Sequence, residues 1–561
     1  MEKIIYSSVF LMYLCLQAFT SSKAEPTDFL SIDCGATSPY KDSQLGIKWE
    51  TDDKYIKTGK TRQMREGPDF PKQLYSYRYF PSPRSKHCYV LPVRTETTYL
   101  LRVRLFPGFR GTSSVDLPVD FNVTFINNLF FSYSANTDTD RVDALYESVF
   151  YSFEREEIYL CLVPGTKGTP FINSIELRGL PDTSYRITRS SEVPQFMLLG
   201  GRFSMGPKPA NRFFRYPDDE FDRFWWAAGP PSFPNFTTFT VDKSFIKNLS
   251  FVPYYSNSGV DGYNWPPDKA LTDAWIGPNL AFQIKRSRVD TNKVYFAFYF
   301  MEIRPEVIKN LSDSNWWEII TYAVDDTSQD YVSISYNDPA YTAPLEEVVL
   351  DDNVINVNVS RNSSSAVDGV ILNAFEYYYS YDFNISATIS RDKIALHELQ
   401  ESFGLQDWQG DPCFPVAWDW LTCDYSEIQK LKLSHMNISG PIPANISNLV
   451  DVTEIYLDNN NLEGTIPKSL VSLPKLRRLA LDNNKLTGEI PIEFQNKEGF
   501  TFTGNPGLYV TRPGTNAPVP GPLTSPPSAA AKSIRRADVP FLAMIFLASL
   551  SVIVSFKNGF L

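Results

Sequence analysis

The chain has 561 residues, a formal net charge of −11, and 14% aromatic residues. This acidic balance leaves no basic footprint for nucleic acid, and the three histidines, His87, His397 and His435, are too widely spaced in the sequence to assemble a zinc site without a Cys-x-x-Cys pair. The sequence also lacks a glycine-rich phosphate-binding loop, so no cofactor is expected.

The N-terminal segment, residues 1–24, has the features of a secretory signal peptide. Lys3 precedes an apolar stretch over residues 4–19, and Ser22 and Ala24 occupy the small-residue positions that a signal peptidase requires. The alternative is a buried N-terminal helix. With the signal removed, the remaining chain is expected to face the secretory lumen and then the cell exterior.

Asn-x-Ser/Thr sequons spread over most of the chain fit an exported glycoprotein. The predicted glycosylation sites are Asn122, Asn235, Asn248, Asn310, Asn358, Asn362, Asn384, Asn437 and Asn445. Cys413 and Cys423 are close enough in sequence for a local disulfide in an oxidising compartment. Of Cys34, Cys88 and Cys161, one is expected to stay unpaired, and the sequence leaves open which.

Two stretches, residues 25–185 and 196–389, have the texture of short β-strands separated by turns. In "YLLRVRLF", apolar residues alternate with Arg102 and Arg104, which predicts one buried and one solvated face. Further strands are predicted at "VDFNVTFI" and "EEIYLCLV" in the first stretch, and at "KVYFAFYFMEI", "YVSISY" and "VILNAFEYYYSY" in the second. The pattern indicates two β-sandwich lobes in tandem.

Residues 390–425 are predicted to form a connecting helix and a disulfide cap. In "SRDKIALHELQESFG", Ser390 is the predicted N-cap, Asp392 lies near the positive end of the helix dipole, and Gly404 ends the helix. The apolar stripe consists of Leu396, Leu399 and Phe403. The tryptophan- and proline-rich "WQGDPCFPVAWDWLTC" follows as the cap.

Residues 426–508 repeat with a period of 24. "LKLSHMNISGPIP", "IYLDNNNLEGTIP" and "LALDNNKLTGEIP" place Gly440, Gly464 and Gly488 in step, as in leucine-rich repeats. Asn460 and Asn484 occupy the position whose side chain bonds the turn backbone, whereas the first repeat has methionine there. Three repeats are near the minimum for a solenoid, so caps are expected at both ends, the second being "FTGNPGL".

Beyond the repeats, residues 509–538 are rich in proline and predict a semi-rigid stalk. The tail, residues 539–561, contains an apolar run preceded by two arginines, which opposes the positive-inside bias of a membrane span. Small residues from Ser528, a polar spacer and an apolar tail instead match a glycosylphosphatidylinositol signal attached at Ser528. A short single span is the alternative.

Several motifs in this order carry a family resemblance. "FLSIDCGA", "GIKWETDD", "CYVLPV", "GTPFINSIELRGL" and "RYPDDEFDRFW", followed by "GDPC" and plant-type repeats, resemble the ectodomain of plant malectin-like leucine-rich-repeat receptor kinases, the symbiosis receptor kinase class included. The resemblance covers about residues 29–508. It implies a mainly β fold of two tandem malectin-like β-sandwiches and a short leucine-rich-repeat solenoid. No kinase follows the apolar tail in this sequence, so the chain resembles a receptor-like protein that needs a membrane kinase partner.

One motif also admits a catalytic interpretation. In "RYPDDEFDRFWW", Asp218, Asp219 and Asp222 could supply the two carboxylates of a glycosidase. The preferred interpretation is a structural turn, in which Arg215 and Arg223 pair with aspartates while the tryptophan that follows packs inside. The chain is therefore not expected to be an enzyme.

Candidate ligand contacts come from both parts of the chain. Tyr40 and Trp49 could stack on a sugar ring, although aromatic residues in such a lobe are more often core. The outward strand positions of the repeats predict a mixed polar surface that suits a peptide or protein. These positions are Lys432, Tyr456, Asp458, Arg478 and Asp482.

We therefore expect a cell-surface recognition protein, on the extracellular face of the plasma membrane, that binds a glycan or peptide. The alternatives are a wall-polysaccharide attachment protein and an extracellular glycan-modifying enzyme.

Overall fold

The computed structural model describes the chain from Phe29 to residue 520, except for some internal residues. The residues left out of the description are 66–70, 83, 109–113, 182–183, 191–194, 206–212, 228–238, 242–245, 248–265, 278, 287, 289, 302–316, 326–327, 336–339, 351–352, 362–369, 384–386 and 512–517. The predicted signal peptide, most of the predicted stalk and the apolar tail lie outside the described residues.

The first lobe is a β-sandwich with one apolar interior. Its strands are β1 (Phe29–Asp33), β2 (Tyr40–Lys41), β3 (Lys48–Thr51), β4 (Lys60–Gln63), β5 (Ser76–Tyr79), β6 (His87–Pro92), β7 (Thr98–Leu105), β8 (Val119–Phe125), β9 (Asn128–Ala135), β10 (Ala144–Tyr151), β11 (Glu157–Pro164), β12 (Phe171–Ile172) and β13 (Ser174–Leu180). The sheet β6-β11-β8-β9 faces strands β1, β13, β7 and β10. Val123 and Leu160 of the first layer and Val103 and Ile175 of the second are fully buried between them.

The second lobe has the same layered design. Its elements are α1 (Ile187–Ser190), β14 (Gln195–Ser204), β15 (Phe213–Phe214), β16 (Trp225–Ala227), β17 (Phe239–Val241), β18 (Ile246–Lys247), α2 (Asp268–Leu271), β19 (Ala274–Gly277), β20 (Asn279–Lys285), β21 (Lys293–Met301), β22 (Trp317–Val324), β23 (Ser328–Ser335), β24 (Ala340–Val349), β25 (Val354–Arg361), β26 (Val370–Leu372) and β27 (Ala374–Asp382). The sheet β17-β20-β25-β22-β23 packs on β14, β27, β21 and β24. Ile320, Val359 and Phe375 lie fully buried in this core.

An asparagine has the same structural role at matching places in the two lobes. The segment "VILNAFEYYYSY", predicted as one strand, is divided into β26 and β27 by Asn373. Its side chain accepts a hydrogen bond from the Met301 amide at 2.7 Å and donates one to a backbone carbonyl. Asn173, between β12 and β13, accepts from the Phe106 amide at 2.6 Å in the same way.

The two lobes share one continuous sheet, because β14 pairs with β10 of lobe 1 and with β27 of lobe 2. A row of alternating charges crosses it in the order Glu176, Arg102, Glu147, Arg202 and Glu376. All five side chains are fully buried. The expectation that the Arg102 face of β7 is solvated is therefore wrong, because the second lobe covers that face, and the guanidinium is neutralised by Glu147 and Glu176 of lobe 1 and by Asp222 of lobe 2.

The loop "RYPDDEFDRFW" lies over this charge row. Arg215 pairs with Asp222, and Arg223 pairs with Asp219 at 2.9 Å. The Trp225 indole is fully buried and donates to Asp219 at 2.6 Å. The structural interpretation of this motif is confirmed, since the two inner aspartates are enclosed and engaged in ion pairs.

The connecting helix, α3 (Ser390–Phe403), joins lobe 2 to the repeats. Its buried face contains the predicted Leu396, Leu399 and Phe403. Gly404 follows with a φ of 68°, a left-handed conformation that glycine adopts without strain. The predicted N-cap is wrong, because Ile389 occupies that position and Ser390 is already helical.

The repeats stack as two ladders of mostly parallel strands around one apolar interior, and each ladder has an antiparallel pair at one end. Their strands are β28 (Leu421–Asp424), β29 (Glu427–Lys432), β30 (Ser439–Pro441), β31 (Glu454–Tyr456), β32 (Asn461–Thr465), β33 (Arg478–Ala480), β34 (Lys485–Glu489), β35 (Phe500–Thr501), β36 (Gly507–Thr511) and β37 (Pro518–Pro520). Asn460 and Asn484 each donate to three backbone carbonyls of the turns, as predicted. Asn505 bonds in the same manner, so the second cap is a truncated repeat. The mainly β architecture is confirmed.

Candidate functional site

A lysine of lobe 1 fastens the lobe to the repeat domain. The Lys86 side chain is 3% exposed, and its ammonium donates to the carbonyl oxygens of Asp411, Phe414 and Val416, the last two at 2.7 and 2.6 Å. All three protons of the group are thereby used. Burial lowers the pKa of Lys86 to about 7, although the charges of Asp411 and Asp419 oppose this change. We call this arrangement the Lys86 clamp.

The residues before Lys86 extend the same contact. The Arg84 guanidinium lies 4.3 Å from the centre of the Trp408 ring. The Ser85 amide donates to the Asp419 carboxylate at 3.0 Å, and its hydroxyl donates to the Ala417 carbonyl at 2.8 Å. The joint is thus formed by charge, ring and backbone contacts between segments more than 300 residues apart in the chain.

The cap rests on a disulfide of lobe 1. Cys88 and Cys161 are bonded across β6 and β11, which leaves Cys34 as the free, buried thiol of the described chain. Gly410 lies against this disulfide with a φ of 85°, and an added Cβ would lie 2.6 Å from the Cys88 sulfur. The predicted disulfide between Cys413 and Cys423 is present in the cap.

Beside the joint is an open cleft of about 660 Å³. One wall belongs to lobe 1 and carries Glu156, Glu157 and Tyr159, whereas the other belongs to α3 and the cap and carries Glu401 and Trp408. Clefts at domain boundaries are common ligand sites. We take this cleft as the candidate site, because its two walls come from parts of the chain that the Lys86 clamp holds together.

The charges in the cleft are predominantly acidic. Glu156, Glu157 and Glu401 are all exposed. The Tyr159 hydroxyl donates to the Glu157 carboxylate, and burial together with this bond raises the pKa of Tyr159. Lys54 also lines the cleft, but its ammonium is 2.6 Å from the carboxylate of Glu50, so the pair adds little net charge.

A second depression, of about 1170 Å³, adjoins the first cleft through Glu156, which lines both. It runs past the turn after β6 and the loop over the charge row, where Glu96 and Glu220 are exposed. Arg94 also lines it. The acidic lining therefore continues from the cleft towards the joint between the two lobes.

In the structure, Tyr40 and Trp49 do not form an exposed surface on which a sugar ring could stack. Trp49 is 1% exposed in a small apolar cluster, so its ring has no accessible face. The Tyr40 ring is stacked on Trp49 on one side and has the Lys72 ammonium 3.9 Å from its centre. The Tyr40 hydroxyl donates to Asp33 at 3.0 Å. Trp49 is core, and the ring of Tyr40 is engaged by its neighbours.

The predicted repeat surface exists but is small and internally bonded. Lys432 is exposed, and the Arg478 guanidinium donates to the Tyr456 hydroxyl at 3.2 Å. Asp458 accepts a bond from the Ser434 hydroxyl. Asp482 accepts from the backbone amide of the next turn at 2.7 Å. These side chains share one strand face, separate from the residues that line the cleft.

The sequence comparisons place the chain in a family. The family model described as "Malectin-like domain" matches residues 32–380, and the model described as "Leucine rich repeat" matches residues 426–486. The chain belongs to the malectin-like domain family. The resemblance stated from the sequence motifs is thereby confirmed.

The curated relatives of this malectin-like chain are named as receptor-like kinases. A probable LRR receptor-like serine/threonine-protein kinase of Arabidopsis thaliana is 27% identical over 459 residues, covering 80% of this chain and 47% of the relative. The LRR receptor-like serine/threonine-protein kinase IOS1, from the same plant, is 26% identical over 468 residues, covering 80% and 48%. The chain thus spans about half the length of the curated relatives it matches.

Solved structures of malectin-like ectodomains are also similar. The ANX1 ectodomain from Arabidopsis thaliana has a TM-score of 0.45 and 16% identity, covering 64% of this chain and 97% of that one. A chain from the plant complex of the peptide RALF23 with FER and LLG2 has a TM-score of 0.44 and 16% identity, covering 64% and 96%.

Four predicted glycosylation sites of the malectin-like chain fall on described residues. Asn122, Asn358 and Asn437 are exposed, whereas Asn445 is half-buried and its amide donates to Glu398. The other sequons, at Asn235, Asn248, Asn310, Asn362 and Asn384, lie outside the described residues. All nine stay predictions.

The predicted lipid attachment at Ser528 and the apolar tail lie outside the described residues as well. Within the part of the chain that is described, no helix combines the length and apolar character needed to cross a bilayer. Also within that part, no cluster of three or more His, Cys, Asp or Glu side chains could hold a metal ion.

Sequence reasoning missed the Lys86 clamp and the cleft. Lys86 stands in an irregular loop two residues before Cys88, and no periodic pattern marks it. The glutamates of the cleft lie more than 240 residues apart in the chain, at Glu157 and Glu401. The resemblance to "GDPC" identified the cap, but it did not show that Gly410 rests on a disulfide of lobe 1.

Proposed function

We propose that this malectin-like chain is a cell-surface recognition protein, acting as a receptor-like protein or co-receptor on the extracellular face of the plasma membrane. The observation that supports this proposal is the open cleft, one wall of which comes from lobe 1 and the other from the connecting helix and cap that adjoin the repeats. A ligand bound there touches both domains at once, so it changes how they are held together. This is the property that a sensor requires.

The relatives support the same function, since they are named as receptor-like kinases and match most of this chain. The family models match its malectin-like and repeat regions. We propose a membrane kinase partner that carries the signal inward, an extracellular glycan or peptide as ligand, and no enzymatic activity in this chain. A wall-attachment role would need exposed ring faces for polysaccharide, and Trp49 offers none.

The partner proposal is tested by capture from intact cell surfaces. The full chain, tagged after the signal peptide, is crosslinked on living cells and recovered. A receptor-like kinase should be enriched at least tenfold over a bait of similar abundance that carries the same anchor and an unrelated ectodomain. Recovery without any kinase would contradict the co-receptor proposal.

Anchorage is tested separately. Phospholipase specific for phosphatidylinositol should release the protein from cells if Ser528 carries the lipid. Retention on the membrane after treatment, with the extreme C-terminus still detected by antibody, would contradict the lipid anchor and support a short membrane span.

A further inference from the structure

The last strand of the repeat domain comes from the proline-rich segment that was predicted as a stalk. Strand β37 pairs antiparallel with β36, and Val519 lies opposite Val510. It ends the ladder β30-β32-β34-β36-β37. The opposite end of this ladder is approached by α3, since an added Cβ on Gly440 of β30 would lie 3.0 Å from the carbonyl oxygen of Ser402. Each end of the ladder therefore lies against a different segment of the chain.

The hydrogen-bonding pattern of β36 determines which residue of β37 must donate to it. The carbonyl oxygen of Tyr509 accepts a bond from the Ile490 amide at 2.9 Å, so the backbone groups of Tyr509 face the preceding repeat. Successive residues of a strand direct their backbone groups to opposite sides. The amide and carbonyl of Val510 therefore face β37, and Val510 with Val519 is the pair that exchanges hydrogen bonds across this edge.

The sequence Pro-Val-Pro suits a strand that ends a ladder. Val519 supplies the amide that faces β36, whereas the backbone nitrogens of Pro518 and Pro520 face away from it and carry no hydrogen. A further strand would find no donor at either proline, so the ladder stops at β37. Strand β36 has the sequence GLYVT, which contains no proline and no charge to protect its own edge.

We propose that the outer edge of β36 is a self-association surface that β37 keeps closed. When β37 is displaced, this edge pairs antiparallel with the same edge of a second copy, about a two-fold axis at Val510. That pairing places Tyr509 of each copy opposite Thr511 of the other and gives the Val510 amide and carbonyl new partners. A second copy fits the open edge because β36 is uncharged and rich in residues that favour strands.

The contact that keeps the edge closed is short. It spans three residues of each strand and includes one pair that exchanges hydrogen bonds. Each of these two bonds contributes only about a factor of five to the docking equilibrium. The chain reaches Ser528, the proposed lipid attachment site, eight residues after Pro520. Force on such an anchor would reach β37 before any other strand of the repeats.

The test compares Val519→Pro with Val519→Thr in the full chain, held in density-matched detergent. Proline removes the amide that faces β36, whereas threonine keeps the amide, the branched side chain and the net charge. Self-association is measured by analytical ultracentrifugation. Amide hydrogen exchange is followed in peptides covering residues 508–511.

Val519→Pro should raise the fraction of molecules with an open β36 edge about fivefold, because one of two hydrogen bonds is lost. A dimer needs two open edges, so its dissociation constant should fall about 25-fold. The Val510 amide should exchange about fivefold faster in the dilute monomer and become protected again as the dimer forms. Val519→Thr should match the unmodified chain within about twofold.

A second variant tests where the two copies meet. Tyr509→Lys and Thr511→Lys, added to Val519→Pro, place like charges opposite each other in the two-fold pairing, so the dimer should disappear. A dimer that persists would overturn the inference, as would a Val519→Pro chain that stays monomeric although its Val510 amide exchanges faster. Equal exchange in the proline and threonine variants would overturn it too, because β37 would then not close the edge.

Folding of each variant is checked by exchange in peptides from β34, which should be unchanged. A Val519→Pro chain that fails this check is replaced by Val519→Gly, which keeps the amide but favours the unpaired state of β37, and the same outcomes decide. Neither measurement involves an extracellular ligand or a kinase partner, so its result is independent of the proposed function.

Discussion

The Lys86 clamp offers a direct test of how the domains are held together. In Lys86→Met the side chain keeps a similar length but loses the ammonium, so three backbone carbonyl oxygens of the cap lose their donor. A buried acceptor left without a donor costs about 1 kcal/mol or more. We therefore expect the contact between lobe 1 and the cap to weaken by about 3 kcal/mol, or roughly 100-fold in its opening equilibrium.

The assay is amide hydrogen exchange on the full chain. The Ser85 amide donates across the joint to Asp419, so its protection reports whether the two domains are in contact. Peptides covering residues 84–87 should exchange about 100-fold faster in Lys86→Met, in keeping with the 3 kcal/mol expected above. Peptides from the repeat strand β31 should be unchanged.

The matched control is Lys60→Met, which removes an exposed lysine from β4 at the surface of lobe 1. It should leave exchange at residues 84–87 within about twofold, because surface substitutions rarely exceed about 0.5 kcal/mol. If Lys86→Met also stays within twofold, the clamp does not hold the joint, and Arg84 with Ser85 must supply the contact.

Three further predictions concern stability. The pKa of Lys86 falls to about 7 when lobe 1 and the cap are docked and is ordinary when they are separated, so the docked state holds fewer protons above pH 7. Docking should therefore strengthen from pH 7 to 9 and stay level below pH 7, and Lys86→Met should abolish the rise. The measurement is amide hydrogen exchange corrected for intrinsic rates. Asp222→Asn should cost about 3–5 kcal/mol in urea unfolding, since three buried guanidinium groups then share one carboxylate fewer, whereas exposed Asp218→Asn should change stability by less than about 1 kcal/mol. Replacing Cys88 and Cys161 by serine should lower the free energy of unfolding by about 2–4 kcal/mol. It should also weaken the packing of Gly410 on lobe 1, which faster amide hydrogen exchange in the cap would show.

The stability of the protein at acid pH tests the charge row as well. Burial alone would raise the pKa of Asp222, but the guanidinium groups of Arg215, Arg178 and Arg102 outweigh it and hold that pKa well below its usual range. The carboxylate therefore contributes stability above its ordinary pKa of 3.8, and this is lost as pH falls towards the lowered value. These charged residues interact because the fold brings them close together in space, although they are far apart in the sequence.

Local sequence patterns correctly predicted the parts of the fold in which neighbours along the chain determine the structure. The 24-residue period predicted the repeats and the role of Asn460 and Asn484, since the same contact recurs between each repeat and the one before it. The helical stripe of α3 was predicted from its local period. The N-cap was not, because the backbone at Ile389 is held by the distant residue Ser426 and not by a local side-chain bond.

The misjudged features depend on contacts between remote segments. Alternation in β7 correctly predicted a strand, but Arg102 is buried because Glu147, Glu176 and Asp222 reach it from 45, 74 and 120 residues away. The clamp is a stronger case, since Lys86 finds its acceptors over 320 residues later. A single sequence carries no periodic mark of such pairings.

The Lys86 clamp and ligand binding in the cleft must be thermodynamically coupled if both descriptions hold. The cleft has both of its walls only while lobe 1 and the cap are docked, so the apparent affinity for a ligand equals the intrinsic affinity multiplied by the docked fraction. A 100-fold shift in opening leaves ligand binding unchanged as long as most molecules remain docked, and weakens it only when docking was marginal. A ligand that contacts both walls must in turn slow exchange at Ser85, because it binds only the docked state, and the factor rises with the free ligand concentration relative to the Kd of that state. Exchange at Ser85 that stays the same at saturating ligand would show that the ligand does not contact both walls.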